Sequence, residues 1–216
     1  AAISAGIPLA AGATTINKMC GSGMKAVMQG CDAIAAGSAD IVIAGGMESM
    51  TNAPYLLPKA RGGMRMGHGQ VIDHMFYDGL QDPFEGRMMG HFAQATADKY
   101  GFSREEMDAF ATESARRAQS AVADGTFAGE IAPVTIKSRR GDTVVDTDET
   151  PGTVSVEKIP TLRPAFAKDG TVTAATSSSI SDGAAAVIMM TAAEADKRGL
   201  TPIAKIVGHS AFAHEP

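Results

Sequence analysis

Residues 14–46 read TTINKMCGSGMKAVMQGCDAIAAGSADIVIAGG. Thr14 to Met19 is β-prone, and after Gly21-Ser22-Gly23 the apolar positions Met24, Val27, Met28, Cys31, Ile34 and Ala35 recur at helical spacing. Gly37 closes that helix. Asp40 to Ala44 is then a short apolar run of the kind found in a strand covered on both faces. Strand, tight turn, helix and strand predict a β-α-β unit in a parallel sheet, and hence an α/β fold.

The texture changes from Glu48 onward. Pro54, Pro58, Gly62, Gly63, Gly67, Gly69, Gly79 and Pro83 punctuate a Met-rich stretch without a sustained period, which predicts a long irregular excursion. Helical spacing returns over residues 86–100. It returns again after Ser103, where Ser103 and Glu106 form a capping box ahead of Met107, Phe110, Ala111, Ala118 and Val122, and Gly125 ends the helix. Residues 131–138 and 142–146 alternate as two strands joined by the polar connection Arg139-Arg140-Gly141, and residues 146–152 read as a surface loop. Ala184 to Met190 is a second buried strand, Thr191 and Glu194 cap a short helix, and residues 203–207 begin one more strand. One layered α/β domain interrupted by an insertion is the organisation these elements predict.

With 216 residues, 44% of them hydrophobic, and a net charge of −5, the chain has a globular composition and lacks the basic face that phosphate contacts demand, so no nucleic-acid partner is expected. The longest apolar run, Ala184 to Met190, is far shorter than the ~20 residues that span a bilayer, so no membrane partner is expected either. The sequence starts without Met or a charged lead-in and reads as an internal piece of a longer chain. Its two cysteines, without a secretory signal, suit a reducing cytoplasmic setting. The histidines show no paired spacing with Cys or acidic residues, so no metal site is expected.

Cys20 falls between the expected strand and the first turn of the helix, where unpaired N–H groups and the positive end of the helix dipole favour a thiolate. Gly21 and Gly23 clear side chains from the turn, so an acyl group would approach the backbone there, and the Cys20 N–H would face a developing oxyanion. By frequency alone a free cysteine is more often an inert small hydrophobe. That description fits Cys31, which lies on the apolar stripe and is assigned to the core.

The longer string NKMCGSGMKAV (17–27) closely resembles the active-site segment of the thiolase family, with Cys20 where the family keeps its acylated cysteine. ADIVIAGGMESMTNAPY (39–55), RGGMRMGHG (61–69), DGLQDPFEGRMMG (78–90) and LRPAFAKDGTVTAATSSSISDGAAAV (162–187) resemble the same family in the same order. The nearest match is its bacterial branch of acetyl-CoA acetyltransferases. The resemblance implies a thiolase-like layered αβαβα fold, here partial, with residues 1–50 and 181–200 in the N-terminal half. Residues 51–180 would form a large inserted loop domain that holds coenzyme A, and residues 201–216 would open the C-terminal half. It further implies that the pantetheine arm passes Leu80, Met88, Met89, Leu162, Phe166, Ala174, Ser178 and Ile180. Some members carry His at the position of Met88, so that contact is apolar in this chain. Residues 151–161 align poorly with the family's nucleotide-contacting loop, and no adenine or phosphate ligand is assigned.

The implied chemistry is acyl transfer in fatty-acid metabolism, forming or cleaving acetoacetyl-CoA or another 3-ketoacyl-CoA through an acyl-cysteine. Coenzyme A thioesters are the substrates, no separate cofactor is needed, and a homodimer or homotetramer is expected. The family also uses a second cysteine, a histidine and a water-binding asparagine in CGG-, GHP- and NEAF-like motifs, and none of these strings occurs in the 216 residues. Without them this piece is expected to be inactive alone. His68 and His209 read as surface or structural histidines. Two alternatives stay open at this level: a ketoacyl-synthase-like condensing enzyme, and a catalytically incomplete remnant that binds coenzyme A or scaffolds a subunit.

Overall fold

The computed structural model describes residues 1–213; His214 lies outside the described residues. The chain divides into two compact units, Ala1–Val71 together with the chain from Ile180 onward, and Ile72–Ser179.

In the first unit, the helix Ser22–Ala35 precedes the strand Ile41–Glu48, which pairs with Gly183–Met190 in register from Ile41 opposite Met190 to Glu48 opposite Gly183. The pairing is antiparallel and joins two strands the sequence reading did not pair, while the parallel unit expected of residues 14–19 with 40–44 does not form. The expected strand at residues 14–19 does not form. The Asn17 carboxamide oxygen accepts from the Met19 N–H at 2.8 Å, and the backbone turns back with Gly21 N–H donating to the Lys18 carbonyl at 3.0 Å. Local side-chain bonding of this kind competes with a strand ladder.

Helix and sheet meet through small residues. A Cβ at Gly30 would stand 3.0 Å from Val42 Cγ1, and one at Gly46 would stand 3.0 Å from the Gly23 Cα. Strand alternation then follows: Ala44 and Met189 are buried under the helix, while Ile43 and Ile188 point the other way and remain 53% and 67% exposed. The two strands were expected to be covered on both faces. Only one face is covered, and Gly183–Met190 is exposed along most of its length. Thr191 accepts from the Glu194 N–H at 3.1 Å and caps the helix Ala192–Lys197 as expected. Residues 203–207, expected as a strand, have no regular structure. His209 instead lies 2.9 Å from Asp32 on the first helix, a structural contact.

The second unit is built on the helices Met89–Tyr100 and Arg104–Ala123. Gly101 ends the first in the left-handed region at φ 70°, a conformation that costs glycine nothing. Ser103 then starts the second with the expected capping box: its hydroxyl accepts from the Glu106 N–H at 3.2 Å, and the Glu106 carboxylate accepts from the Ser103 N–H at 2.9 Å. The hairpin forms as Val134–Ile136 paired antiparallel with Thr143–Val145. The expected surface loop at residues 146–152 is half helical, Glu149–Thr153. It is anchored because the Gln119 amide donates to the carbonyls of Pro151 at 2.9 Å and Val154 at 2.8 Å, burying Pro151. The 3₁₀ turn Val156–Thr161 buries Ile159, 2% exposed, and Ala97, Ala111, Val172 and Thr173 are also buried in this unit.

Candidate active site

Cys20 is exposed at the turn that launches the first helix. The residue before it, Met19, has φ 48°. A bulky side chain in the left-handed region costs about 1–2 kcal/mol, and such outliers persist where the surroundings over-determine them. Here they do. Asn17 holds the Met19 N–H, the Ser22 hydroxyl donates to the Met19 carbonyl at 2.7 Å, and the same hydroxyl accepts from the Lys18 N–H at 2.8 Å. Gly23, packed on the Gly46 backbone, fixes the helix start over the end of the strand. Together these contacts present a thiol to solvent on a rigid, strained elbow at a helix N-terminus. Cys31 is half-buried within the helix and is not a full core residue. It lies beyond the turn, so the two thiols occupy different surroundings.

The end of the strand is tied as well. Asp182 accepts from the Thr51 N–H at 3.0 Å, and that bond outweighs the opposing desolvation and, with lesser help from the Thr51 side chain, the Met50 backbone and the Ser49 side chain, holds its carboxyl below the ordinary value.

Among the eight residues expected to meet a pantetheine arm, Met88, Met89 and Phe166 are drawn together at the start of the Met89–Tyr100 helix. Met88 is its N-cap, and a Cβ at Gly90 would overlap the Phe166 ring. The His91 ring meets the Phe166 ring edge-on, with 5.7 Å between ring centroids. Leu80 ends a π-helical turn, Met75–Leu80, and the following Gln81 bridges to Met88, so Leu80 enters the same neighbourhood. Leu162 follows the 3₁₀ turn, its carbonyl held by Arg104 at 2.8 Å. Ala174 starts the short 3₁₀ helix Ala174–Thr176 behind a Thr173 cap. Ser178 and Ile180 lie exposed in the irregular stretch between Thr176 and Gly183.

Two positions escaped the sequence reading. Arg104 donates to Asp108 at 2.7 Å and to the carbonyls of Ile159, Pro160 and Leu162, while Gln94 is buried and fully bonded to residues 98, 171 and 172. The one signal was that both occur a helical turn from other small or charged residues. A cavity of roughly 380 Å³ lined by Lys59, Met64, Arg65 and His68 contains none of the expected site residues. His74 pairs with Asp78 at 3.1 Å, and among the described residues no group of His, Cys, Asp and Glu is arranged to hold a metal.

The model of the thiolase N-terminal domain matches residues 1–193. The chain belongs to the thiolase family. Among its thiolase relatives, the acetyl-CoA acetyltransferase of Pseudomonas aeruginosa is 48% identical over 219 residues, covering 100% of this chain and 56% of that one. The acetyl-CoA acetyltransferase of Chromobacterium violaceum is 49% identical, again over 100% of this chain and 56% of its own. The solved acetyl-CoA acetyltransferase of Syntrophomonas wolfei superposes with TM-score 0.87 at 44% identity, covering 93% of this chain and 50% of that one. The Acat5 thiolase of Ascaris suum, solved in complex with coenzyme A, superposes with TM-score 0.83 at 42% identity and covers 93% of this chain and 51% of its own. The chain thus spans about half the length of the thiolases it matches, and its fold is a partial thiolase-like α/β fold. No helix among the described residues is long and apolar enough to cross a membrane.

Proposed function

We propose that residues 1–216 form part of an acyl-CoA acyltransferase in which Cys20 carries the acyl group. The Cys20 thiolate attacks the thioester carbonyl, the carbon–sulfur bond to coenzyme A breaks, and coenzyme A leaves as a thiol after taking up a proton. A second acyl-CoA, deprotonated at its α-carbon, then takes the acyl group and frees the cysteine. Thiolysis of a 3-ketoacyl-CoA is the same sequence reversed. Acetyl-CoA and acetoacetyl-CoA are the proposed substrates, and the thioesters are the only coenzyme involved. The observation that supports this most is the exposed thiol on a strained elbow at a helix N-terminus, where a developing anion is favoured.

Leu80, Met88, Met89, Leu162, Phe166, Ala174, Ser178 and Ile180 are proposed to line the pantetheine arm. Their apolar and small side chains suit an aliphatic arm with few polar atoms. Self-association as a homodimer or homotetramer and a cytoplasmic location belong to the same proposal.

The test compares Cys20→Ala with Cys31→Ala in the complete natural chain. Cys20→Ala abolishes acetoacetyl-CoA thiolysis, Cys31→Ala retains it, and iodoacetamide labels Cys20 faster than Cys31 with protection by acetyl-CoA. Equal, slow labelling and no turnover by the wild type would support the alternative of a remnant that binds coenzyme A.

A further inference from the structure

The loop that carries Phe166 is closed on itself by one backbone bond, Ala165 N–H to the Val172 carbonyl at 2.9 Å. The side opposite Phe166 is held by a single side chain. Gln94 is 6% exposed, and its carbonyl oxygen accepts from the N–H groups of Thr171 at 2.9 Å and Val172 at 3.0 Å. Its amide nitrogen donates to the Asp98 carboxylate at 2.8 Å and to the Thr171 hydroxyl at 3.2 Å. All four hydrogen-bonding positions of the carboxamide are therefore used. Gly90, one helical turn before Gln94, leaves the gap that the Phe166 ring fills. Thr173, with no exposed surface, follows directly and caps the turn that begins at Ala174. One buried amide thus ties residues 171 and 172, the side of the loop opposite Phe166, to the helix.

We propose that Gln94 is a positioning residue for acyl-CoA binding, acting through Phe166 and Ala174 without touching the ligand; this rests on the acyltransferase reading above. An apolar replacement of similar size leaves two N–H groups of a buried loop without acceptors, so the loop leaves its binding-ready position. Apparent affinity falls by the fraction of molecules still ordered.

A matched control exists in the same unit, since Gln119 also ties a helix to a loop through its amide, but at Pro151 and Val154. In the complete natural chain, Gln94→Leu is expected to raise KM for acyl-CoA about tenfold, the value for a loop ordered in about one molecule in ten. Its kcat stays within about twofold, as for loss of binding common to ground and transition states. Gln119→Leu leaves KM unchanged. An equal rise in both variants, no rise in Gln94→Leu, or a loss confined to kcat overturns the proposal. Should Gln94→Leu fail to fold, Thr171→Val removes only the hydroxyl bond: a KM rise of about threefold supports the role, and an unchanged KM overturns it. A wild-type enzyme that turns over no acyl-CoA overturns the acyltransferase reading and this role with it. Turnover that is indifferent to Gln94 overturns this role alone.

Discussion

Arg104 and Asp108 form a pair whose two members should differ sharply in what their removal costs. Asp108 is 6% exposed, and one of its oxygens has no hydrogen-bond partner, while the other accepts from Arg104 Nε at 2.7 Å. Arg104 also donates to the carbonyls of Ile159 at 3.2 Å, Pro160 at 3.4 Å and Leu162 at 2.8 Å. Replacing Arg104 by Met keeps the apolar stem but leaves a buried carboxylate uncompensated, which costs about 3–5 kcal/mol. Asp108→Leu removes the poorly satisfied charge and leaves Arg104 its three carbonyls, so about 0–2 kcal/mol is expected, and the double variant should recover most of the Arg104→Met loss. Hydrogen exchange is the suitable assay because it reads residues 156–162 locally and needs no two-state unfolding. At roughly 1.4 kcal/mol per factor of ten, Arg104→Met should speed exchange there by about a hundredfold or more. Equal effects of the two single variants, or less than about a threefold change in Arg104→Met, would refute the reasoning.

Three further outcomes follow from the same geometry. Gly90→Ala gains about 1 kcal/mol of helix propensity but drives a methyl group into the Phe166 ring, so KM for acyl-CoA should rise several-fold, and steady-state kinetics with an unchanged KM would contradict the seat assigned to Phe166. Met19→Gly relieves the left-handed residue beside Cys20 and should stabilise the fold by up to about 1 kcal/mol once the added chain entropy is counted, read as a raised midpoint in thermal unfolding; a lowered midpoint contradicts the strain. Glu106 is held below its ordinary value of 4.5, first by the Ser103 backbone N–H and then by the Ser103 hydroxyl. Because the unfolded chain binds that proton more readily, the contribution is complete above pH 4.5 and is lost as pH falls through the lower folded value. Helix protection at residues 103–107 should therefore decline on acidification in the wild type and change less in Glu106→Gln, measured by exchange.

Local chemistry was the legible part of the sequence. The Ser103–Glu106 box, the Thr191 cap, the hairpin across Arg139–Gly141 and the helix behind Cys20 each depend on residues a few positions apart, and all are present. Most of what failed depends on partners far along the chain. Ile41–Glu48 pairs antiparallel with Gly183–Met190, and no periodicity in either strand states its partner or direction. Residues 14–19 have strand-like side chains, but Asn17 diverts the backbone. Residues 146–152 are polar, yet a single glutamine on a distant helix folds them. The candidate nucleophile was singled out by the resemblance of residues 17–27 to the thiolase active-site segment, since its position alone did not separate it from an inert thiol. Gln94 and Arg104 were not, since polar residues on amphipathic helices look alike until the loop they hold is in place.

The most direct test of the central claim is to mix the complete natural chain with acetyl-CoA alone, quench in acid and sequence the peptides by mass spectrometry. One acetyl group on the peptide containing Cys20, with an equivalent of free coenzyme A and none on Cys31, is the predicted result. An unmodified Cys20 with no coenzyme A released would contradict it.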